Sequence, residues 1–310
     1  MSVIEVKNLK KYFGKTHAVD GVSFSIEKGE IFGFLGPNGA GKTTTIRCLM
    51  NFLKPAEGQI SILGKDSVKD SEFLKSKIGY LSGSVRLYDS WTGHDHISFI
   101  EAIRGKSKIV SDLIKKLDFD PKIKFKQLST GNRQKLGLIL ALMSEPEILI
   151  MDEPTVGLDP LLQGTIYTVL ENLNKKGTTI FMSSHNLSEV ERLCSRVGII
   201  KNGKIVALEN IENLGKKRMH AVEIHFVGSF NKDNFRSEHI EVVQELPDGL
   251  ILNVRGDINQ LIDRLKSYPL KDLEITHASL EEVFLEFYED SRSGSQSAVV
   301  LTKAGQGRER

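Results

Sequence analysis

Two cysteines in 310 residues, Cys48 and Cys194, are too few and too far apart for a disulfide scaffold, and they fall in no metal-ligand spacing. An excess of one charge is also missing. Lys and Arg total 42 against 40 Asp and Glu, a net charge of +2. That balance argues against a dedicated nucleic-acid binder, whose contact face needs a strong basic excess. Long apolar runs are absent too. The longest, residues 136–143, is eight residues and includes Gly137, whereas a membrane-spanning helix needs roughly 18–20. The N-terminal stretch Met1-Ser2-Val3-Ile4-Glu5-Val6-Lys7 alternates and carries charge early, unlike a secretory leader. The expected setting is cytoplasmic, with any membrane-spanning part on another polypeptide. There are no internal repeats. What is present is 40% hydrophobic and 26% charged residues, enough apolar side chains for one large core or two ordinary ones.

Ile4, Val6 and Leu9 alternate, and residues 18–26 alternate again, so the first thirty residues read as strands. An apolar run over 30–35 leads into a Gly-rich loop and a helix over 42–52. Strands are expected at 58–63, 78–81, 148–151, 178–182 and 196–200, with a hairpin around Gly203. Helices are expected at 68–78, 92–117, 128–143, 161–175 and 187–194. Strands alternating with helices predict a parallel α/β sheet. Near residue 215 the pattern changes, after the basic joint Lys216-Lys217-Arg218. Strand patterns at 221–227, 240–245, 250–254 and 273–275, with a helix over 258–265, predict a small α+β domain. Ser279-Leu280-Glu281-Glu282 reads as a capping box. It opens a helix whose apolar stripe, Leu280, Val283, Phe284, Phe287 and Tyr288, suits that domain's own core better than a ligand site. The expected boundaries are 1–215, 216–290 and a disordered tail over 291–310, where the sequence turns polar and aperiodic.

Gly36-Pro37-Asn38-Gly39-Ala40-Gly41-Lys42-Thr43 fits the phosphate-loop pattern G-x-x-x-x-G-K-[ST]. The glycines let backbone N–H groups turn inward as a nest for phosphate oxygens. Lys42 reaches the β- and γ-phosphates, the Thr43 hydroxyl suits Mg²⁺, and the helix that follows offers its positive N-terminus to the same anions. A second element is the apolar run 148–151, ending in Asp152 and Glu153. Asp152 can hold Mg²⁺ through its water shell, and Glu153 can polarise an attacking water as general base. Acidic pairs at strand ends are common on surfaces, so this one takes its meaning from the phosphate loop.

Between these two elements lies Leu128-Ser129-Thr130-Gly131-Asn132-Arg133-Gln134, which is similar to a Leu-Ser-Gly-Gly-Gln signature. Gly157-Leu158-Asp159 looks like a D-loop, and His185, after Ser183-Ser184, looks like a switch histidine. On these motifs the chain resembles the ATP-binding subunit of an ABC transporter over about residues 1–210, nearest to ABC-2-type exporters of drugs and antibiotics. The resemblance implies an α/β P-loop NTPase cassette: a RecA-like core, an antiparallel β subdomain and a helical subdomain, followed by the small α+β domain. It implies ATP and Mg²⁺ as cofactors. Glu153, His185 and Lys42 take the catalytic roles, and Thr43 and Asp152 the metal. Tyr12 stacks on adenine. Gly36, Pro37, Asn38, Gly39, Ala40, Gly41, Lys42, Thr43 and Thr44 surround the phosphates. Ser129, Gly131 and Asp159 act across a head-to-tail dimer. The implied partners are a second ATPase subunit and a separate transmembrane permease, with the chain peripheral on the cytoplasmic face and no nucleic acid.

Plainer readings stand beside these. Tyr12 could be a strand-packing aromatic, His185 a structural histidine, and Ser129 and Asp159 simple helix N-caps, Asp159 ahead of Pro160. Two departures from the family pattern also stand out. Ile78-Gly79-Tyr80-Leu81-Ser82-Gly83 has Gly83 where the family has glutamine, and the signature carries Thr130 for Gly and Asn132 for Gln. Gly83 has no side chain to reach Mg²⁺ or water, so the departures bear on turnover and coupling more than on nucleotide binding. Gly83 leaves a hydrolysis-poor ATP sensor as one rival reading. The other is a soluble, non-transport ABC ATPase in translation or DNA maintenance, against which stand the single cassette and the absence of a long heptad coiled coil.

Overall fold

Alternating apolar residues build β1 (Ser2–Phe13) and β2 (Thr16–Glu27), an antiparallel pair. The chain continues through β3 (Ile31–Leu35), α1 (Lys42–Leu49), β4 (Glu57–Ile62), β5 (Lys65–Asp66), α2 (Ser71–Lys77) and β6 (Ile78–Leu81). Then come α3 (Gly93–Arg104), α4 (Val110–Lys116), α5 (Thr130–Leu142), β7 (Ile148–Asp152), α6 (Pro160–Lys175), β8 (Thr179–Ser184), α7 (Leu187–Leu193), β9 (Arg196–Lys201) and β10 (Lys204–Asn210). This computed structural model describes residues 1–216 and 219–277. The chain divides into two units, Met1–Ile211 and a second beginning at Glu212. Among the described residues, no helix is long and apolar enough to cross a membrane.

The first unit holds two sheets. One is antiparallel, in the order β2-β1-β4-β5. The other has the order β10-β9-β3-β8-β7-β6, parallel throughout except for the edge strand β10. Every residue of β3, β7 and β8 is buried, as expected of parallel strands covered on both faces. Phe24 of β2 ties the sheets together. Its ring lies 5.5 Å from Phe32 and 5.8 Å from Phe181, both stacked, within one shared core that also takes Ile46 and Leu49 of α1. Truncating a buried aromatic of this kind costs about 3–5 kcal/mol.

The helix expected over 92–117 is two helices. Gly105, at φ +89, caps α3 and the chain re-enters a helix only at Val110. Thr92 starts α3 with a reciprocal cap: its Oγ1 accepts from Asp95 N–H at 3.1 Å, and Asp95 Oδ2 accepts from Thr92 N–H at 2.8 Å. The first helix stops at Leu49, short of residue 52, where Asn51 takes φ +53.

The second unit opens with α8 (Ile211–Lys216), which starts at the division and which the sequence pattern did not suggest, and contains β11 (Met219–Phe226), β12 (Ile240–Leu246), β13 (Gly249–Arg255), α9 (Asn259–Leu265) and β14 (Leu270–His277). Its sheet is antiparallel, in the order β12-β13-β11-β14. Val222, Ile224, Leu250, Leu252, Val254 and, from α9, Leu261 and Leu265 form its core. The short strand expected at 273–275 runs over the whole of β14. Lys217 and Arg218 of the basic joint, the helix expected from Ser279 and the tail from 291 lie outside the described residues.

Candidate active site

The carboxyl ends of β3, β8 and β7 lie side by side, and ligands bind at that edge of open α/β sheets. Three segments leave the sheet there: the loop 36–43, Asp152-Glu153, and Ser184-His185. Gly41 is the N-cap of α1, with φ +111, and a Cβ on it would sit 2.4 Å from the Ala18 carbonyl oxygen, so only glycine fits. The helix then opens at Lys42 with its first N–H groups lacking intrahelical acceptors. Pro37, Asn38 and Gly39 form an exposed rim, Gly36, Ala40 and Gly41 are buried, and Thr44 is half-buried in the first turn.

Lys42 is only 5% exposed. Its Nζ donates to the carbonyls of Gly36 at 2.6 Å and Pro37 at 3.2 Å and meets Glu153 Oε1 at 3.0 Å as an ion pair. Asp152 is equally buried, and both of its oxygens are satisfied: Thr43 Oγ1 donates to Oδ2 at 2.8 Å and Ser183 Oγ to Oδ1 at 2.7 Å. That pairing makes a buried carboxylate tolerable. Glu153 sits at φ +51, an uncommon conformation for a residue with a side chain. Its N–H donates to Ser183 Oγ at 3.1 Å, and the Pro154 carbonyl accepts from Gln134 Nε2 of α5 at 3.0 Å. His185 Nδ1 lies 2.7 Å from Glu153 Oε2. The five residues Lys42, Thr43, Asp152, Glu153 and His185 therefore form one connected cluster.

Among the described residues no group of three or more His, Cys, Asp or Glu is arranged to hold a metal. Mg²⁺ does not need one, since it keeps several waters and takes one or two carboxylates together with substrate phosphates. The Thr43 hydroxyl and Asp152 carboxylate, hard oxygens 2.8 Å apart beside the loop, fit that ion. Cys48 is no rival nucleophile, because burial pushes its thiol up to about 11.

The remaining sequence candidates are placed differently. Tyr12 has its ring 4.3 Å from His17 and its hydroxyl 3.3 Å from Asp20 Oδ1. Ser129 accepts from Asn132 N–H at 3.3 Å and caps α5, and Asp159 accepts from Leu162 N–H at 3.0 Å and caps α6 ahead of Pro160. Gly131 lies beside Leu158 and Leu162. Among the described residues, no hydrogen bond or ion pair joins Ser129, Gly131 or Asp159 to the loop 36–43. A Cβ on Gly83 would lie 3.0 Å from the Asp152 main-chain carbonyl oxygen and 3.7 Å from its Cγ, so the loop carrying it runs against the end of β7. Sequence reasoning missed the supporting roles of Ser183 and Gln134. The one available signal was the pair of hydroxyl residues closing an otherwise apolar strand.

A family model described as ABC transporter matches residues 19–156. The chain is 37% identical over 213 residues to the linearmycin resistance ATP-binding protein LnrL of Bacillus subtilis, covering 66% of this chain and 68% of that one. It is 32% identical over 301 residues to the bacitracin transport ATP-binding protein BcrA of Bacillus licheniformis, covering 92% and 96%. Among solved structures, an ATP-binding subunit of an ABC transporter aligns with a TM-score of 0.64 at 28% identity, over 69% of this chain and 92% of that one. A dimeric, post-hydrolysis ATP-binding cassette bound to ADP and Pi aligns at 0.61 and 25% identity, over 67% and 98%.

Proposed function

The chain belongs to the ABC transporter family, among its ATP-binding, ATP-hydrolysing subunits, and from that membership we propose that it hydrolyses Mg·ATP at the strand-end cluster to power a separate membrane permease. One observation carries the reading. Groups from three strand ends meet within 3.0 Å of one another: Lys42 on Glu153, Thr43 on Asp152 and His185 on Glu153.

The loop amides and the N-terminus of α1 take the phosphates. The γ-phosphate competes with Glu153 for the Lys42 ammonium, which frees Glu153 Oε1 to accept a proton. A water oxygen attacks the γ-phosphorus, its proton passes to Glu153, and the bond to the bridging oxygen breaks, its electron pair leaving with ADP. With Nδ1 directed at Glu153, His185 turns Nε2 to the γ-phosphate, to which it donates when both ring nitrogens carry a proton. Mg²⁺, when bound by Thr43 and Asp152, neutralises charge on the phosphate oxygens. Tyr12 offers the ring face turned away from His17 to adenine.

Ser129, Gly131 and Asp159 serve a second copy's nucleotide in a head-to-tail dimer, in line with their separation from the loop of their own chain. An open cavity of about 420 Å³, lined by Arg86, Leu87, Tyr88, Trp91, Phe99 and Ile100, among other residues, takes a cytoplasmic segment of the permease. Tyr88 and Phe99 are 64% and 47% exposed there. The cargo class is antibiotic- or drug-like, on the names of the relatives, and the subunit works at the cytoplasmic membrane face. Glu153→Gln is the direct test. It should keep Mg·ATP binding, cut hydrolysis by about 10²–10⁴-fold, and accumulate an ATP-bound dimer by light scattering. Unchanged turnover would remove Glu153 from the role.

A further inference from the structure

Glu189 lies in the first turn of α7, outside the cluster described above, and is 2% exposed. A buried carboxylate with no functional use is costly, so its partners are informative. Oε1 accepts from Thr155 Oγ1 at 2.8 Å, and Oε2 accepts from Ser184 Oγ at 2.6 Å. Both hydroxyl residues are buried as well, Thr155 at 5% and Ser184 at 0% exposure. Thr155 stands two residues after Glu153, in a turn outside any strand, and Ser184 immediately precedes His185. Burial raises the Glu189 carboxyl above its ordinary value, and the two hydroxyl bonds oppose that shift.

The two partners differ in how firmly their backbones are held. Ser184 is the last residue of β8, paired in register with Leu35, and its carbonyl accepts from Gly36 N–H at 3.2 Å. The turn carrying Thr155 has no ladder. Its main chain is held by Gln134 at Pro154, by Ser183 at Glu153, by Gln163 Nε2 at the Thr155 carbonyl at 3.5 Å, and by turn bonds from Val156 N–H to Glu153 and Leu158 N–H to Thr155. Its Thr155 side chain is held by Glu189 and Tyr167. Glu153 within this segment is at φ +51, a conformation that persists only where its surroundings over-determine it.

We propose that Glu189 is a positioning residue for ATP hydrolysis, clamping the turn behind Glu153 to the strand end before His185 so that these two groups keep their 2.7 Å contact. The clamp works through two buried hydroxyls. It rests on the roles given to Glu153 and His185 above. The loop 36–43 meets these segments through the Ser184 main-chain carbonyl, fixed by the β8 ladder, and through Lys42 on Glu153; neither contact uses the two clamped hydroxyls, so the clamp acts on turnover more than on nucleotide binding.

The test uses the full chain with Mg·ATP and steady-state phosphate release. Glu189→Ala should lower kcat by about tenfold or more, the equivalent of one lost charge-assisted hydrogen bond, with KM held within about twofold. Glu189→Gln should recover most of that loss, because its amide oxygen accepts from one hydroxyl and its NH₂ donates to the other. Thr155→Val and Ser184→Ala, each deleting one hydroxyl, should lower kcat with KM kept, and the double variant should fall short of the sum of the singles. These two variants decide the matter if Glu189→Ala does not fold. Wild-type kcat in Glu189→Ala, a parallel loss of kcat and nucleotide affinity, or no recovery in Glu189→Gln overturns the clamp. Glu153→Gln run alongside separates the failures. If it retains turnover, the assignment of the base is at fault. If it is dead while the Glu189, Thr155 and Ser184 variants are normal, only the clamp is.

Discussion

Replacing Gly83 by alanine and by glutamine separates steric crowding from ligand supply at the metal side of the site. Any side chain there brings a Cβ to 3.0 Å from the Asp152 carbonyl oxygen and 3.7 Å from its Cγ. The first distance is about 0.4 Å short of ordinary contact. Asp152 cannot retreat freely, since β7 is buried along its length and both carboxylate oxygens are engaged by Thr43 and Ser183. If a misplacement of about 1 Å costs about 10²-fold, a shift of about 0.4 Å costs about sixfold. Gly83→Ala carries that loss alone. Gly83→Gln adds an amide able to orient water or reach Mg²⁺, a contribution of about 0.5–1.5 kcal/mol, or about 2- to 12-fold. Gly83→Gln should therefore hydrolyse ATP faster than Gly83→Ala by that factor and come close to or above wild type. The assay is phosphate release at saturating Mg·ATP from the chain without its permease, where wild-type turnover should be slow and should rise when the permease is added. If Gly83→Ala matches wild type, the loop does not press on Asp152. If Gly83→Gln is no faster than Gly83→Ala and wild-type turnover without a permease is already fast, Glu153 and His185 suffice and the missing glutamine explains nothing.

Lys42→Ala should abolish tight Mg·ATP binding by calorimetry, because it removes the ammonium from a desolvated phosphate site; it also leaves Glu153 Oε1 without its cation, so a lowered melting temperature should accompany the loss. A chain ending at Ile211, the last residue of the first unit, should still bind Mg·ATP, and loss of binding in a folded chain of that length would contradict the domain division. In the second unit, His225 is held by Asp248 at 2.8 Å and Glu223 at 3.2 Å, and the hydrogen bonds to Asp248 and then Glu223 raise its pKa above 6.5. Protonated His225 therefore favours the folded unit fully below about pH 6.5, and the contribution is lost as pH rises through the raised value. Hydrogen-exchange protection of β11 and β13 should fall across that window in wild type and be flat in His225→Ala; equal pH dependence in both would remove His225 as the cause.

Motifs set by local backbone geometry were legible in the sequence. The phosphate loop demands glycine at a position like Gly41, a following lysine and a helix, and those requirements are contiguous. The apolar run ending in Asp152 and Glu153 is likewise local, because a strand covered on both faces leaves no polar position. The break at Gly105 was hidden, since apolar spacing continues on both sides of a short connection. What only the tertiary structure decided was who meets whom. Lys42 and Glu153 lie over a hundred residues apart, and they touch because β3, β8 and β7 are neighbours in that order. No periodicity encodes strand order. For the same reason Glu189, which reads as an ordinary first-turn acidic residue of a short helix, reveals its two buried hydroxyl partners only when the turn after β7 and the end of β8 are brought against α7. Ser129 and Asp159 show the complementary case. Within one chain they are helix caps, and the proposed role at a nucleotide belongs to a second copy.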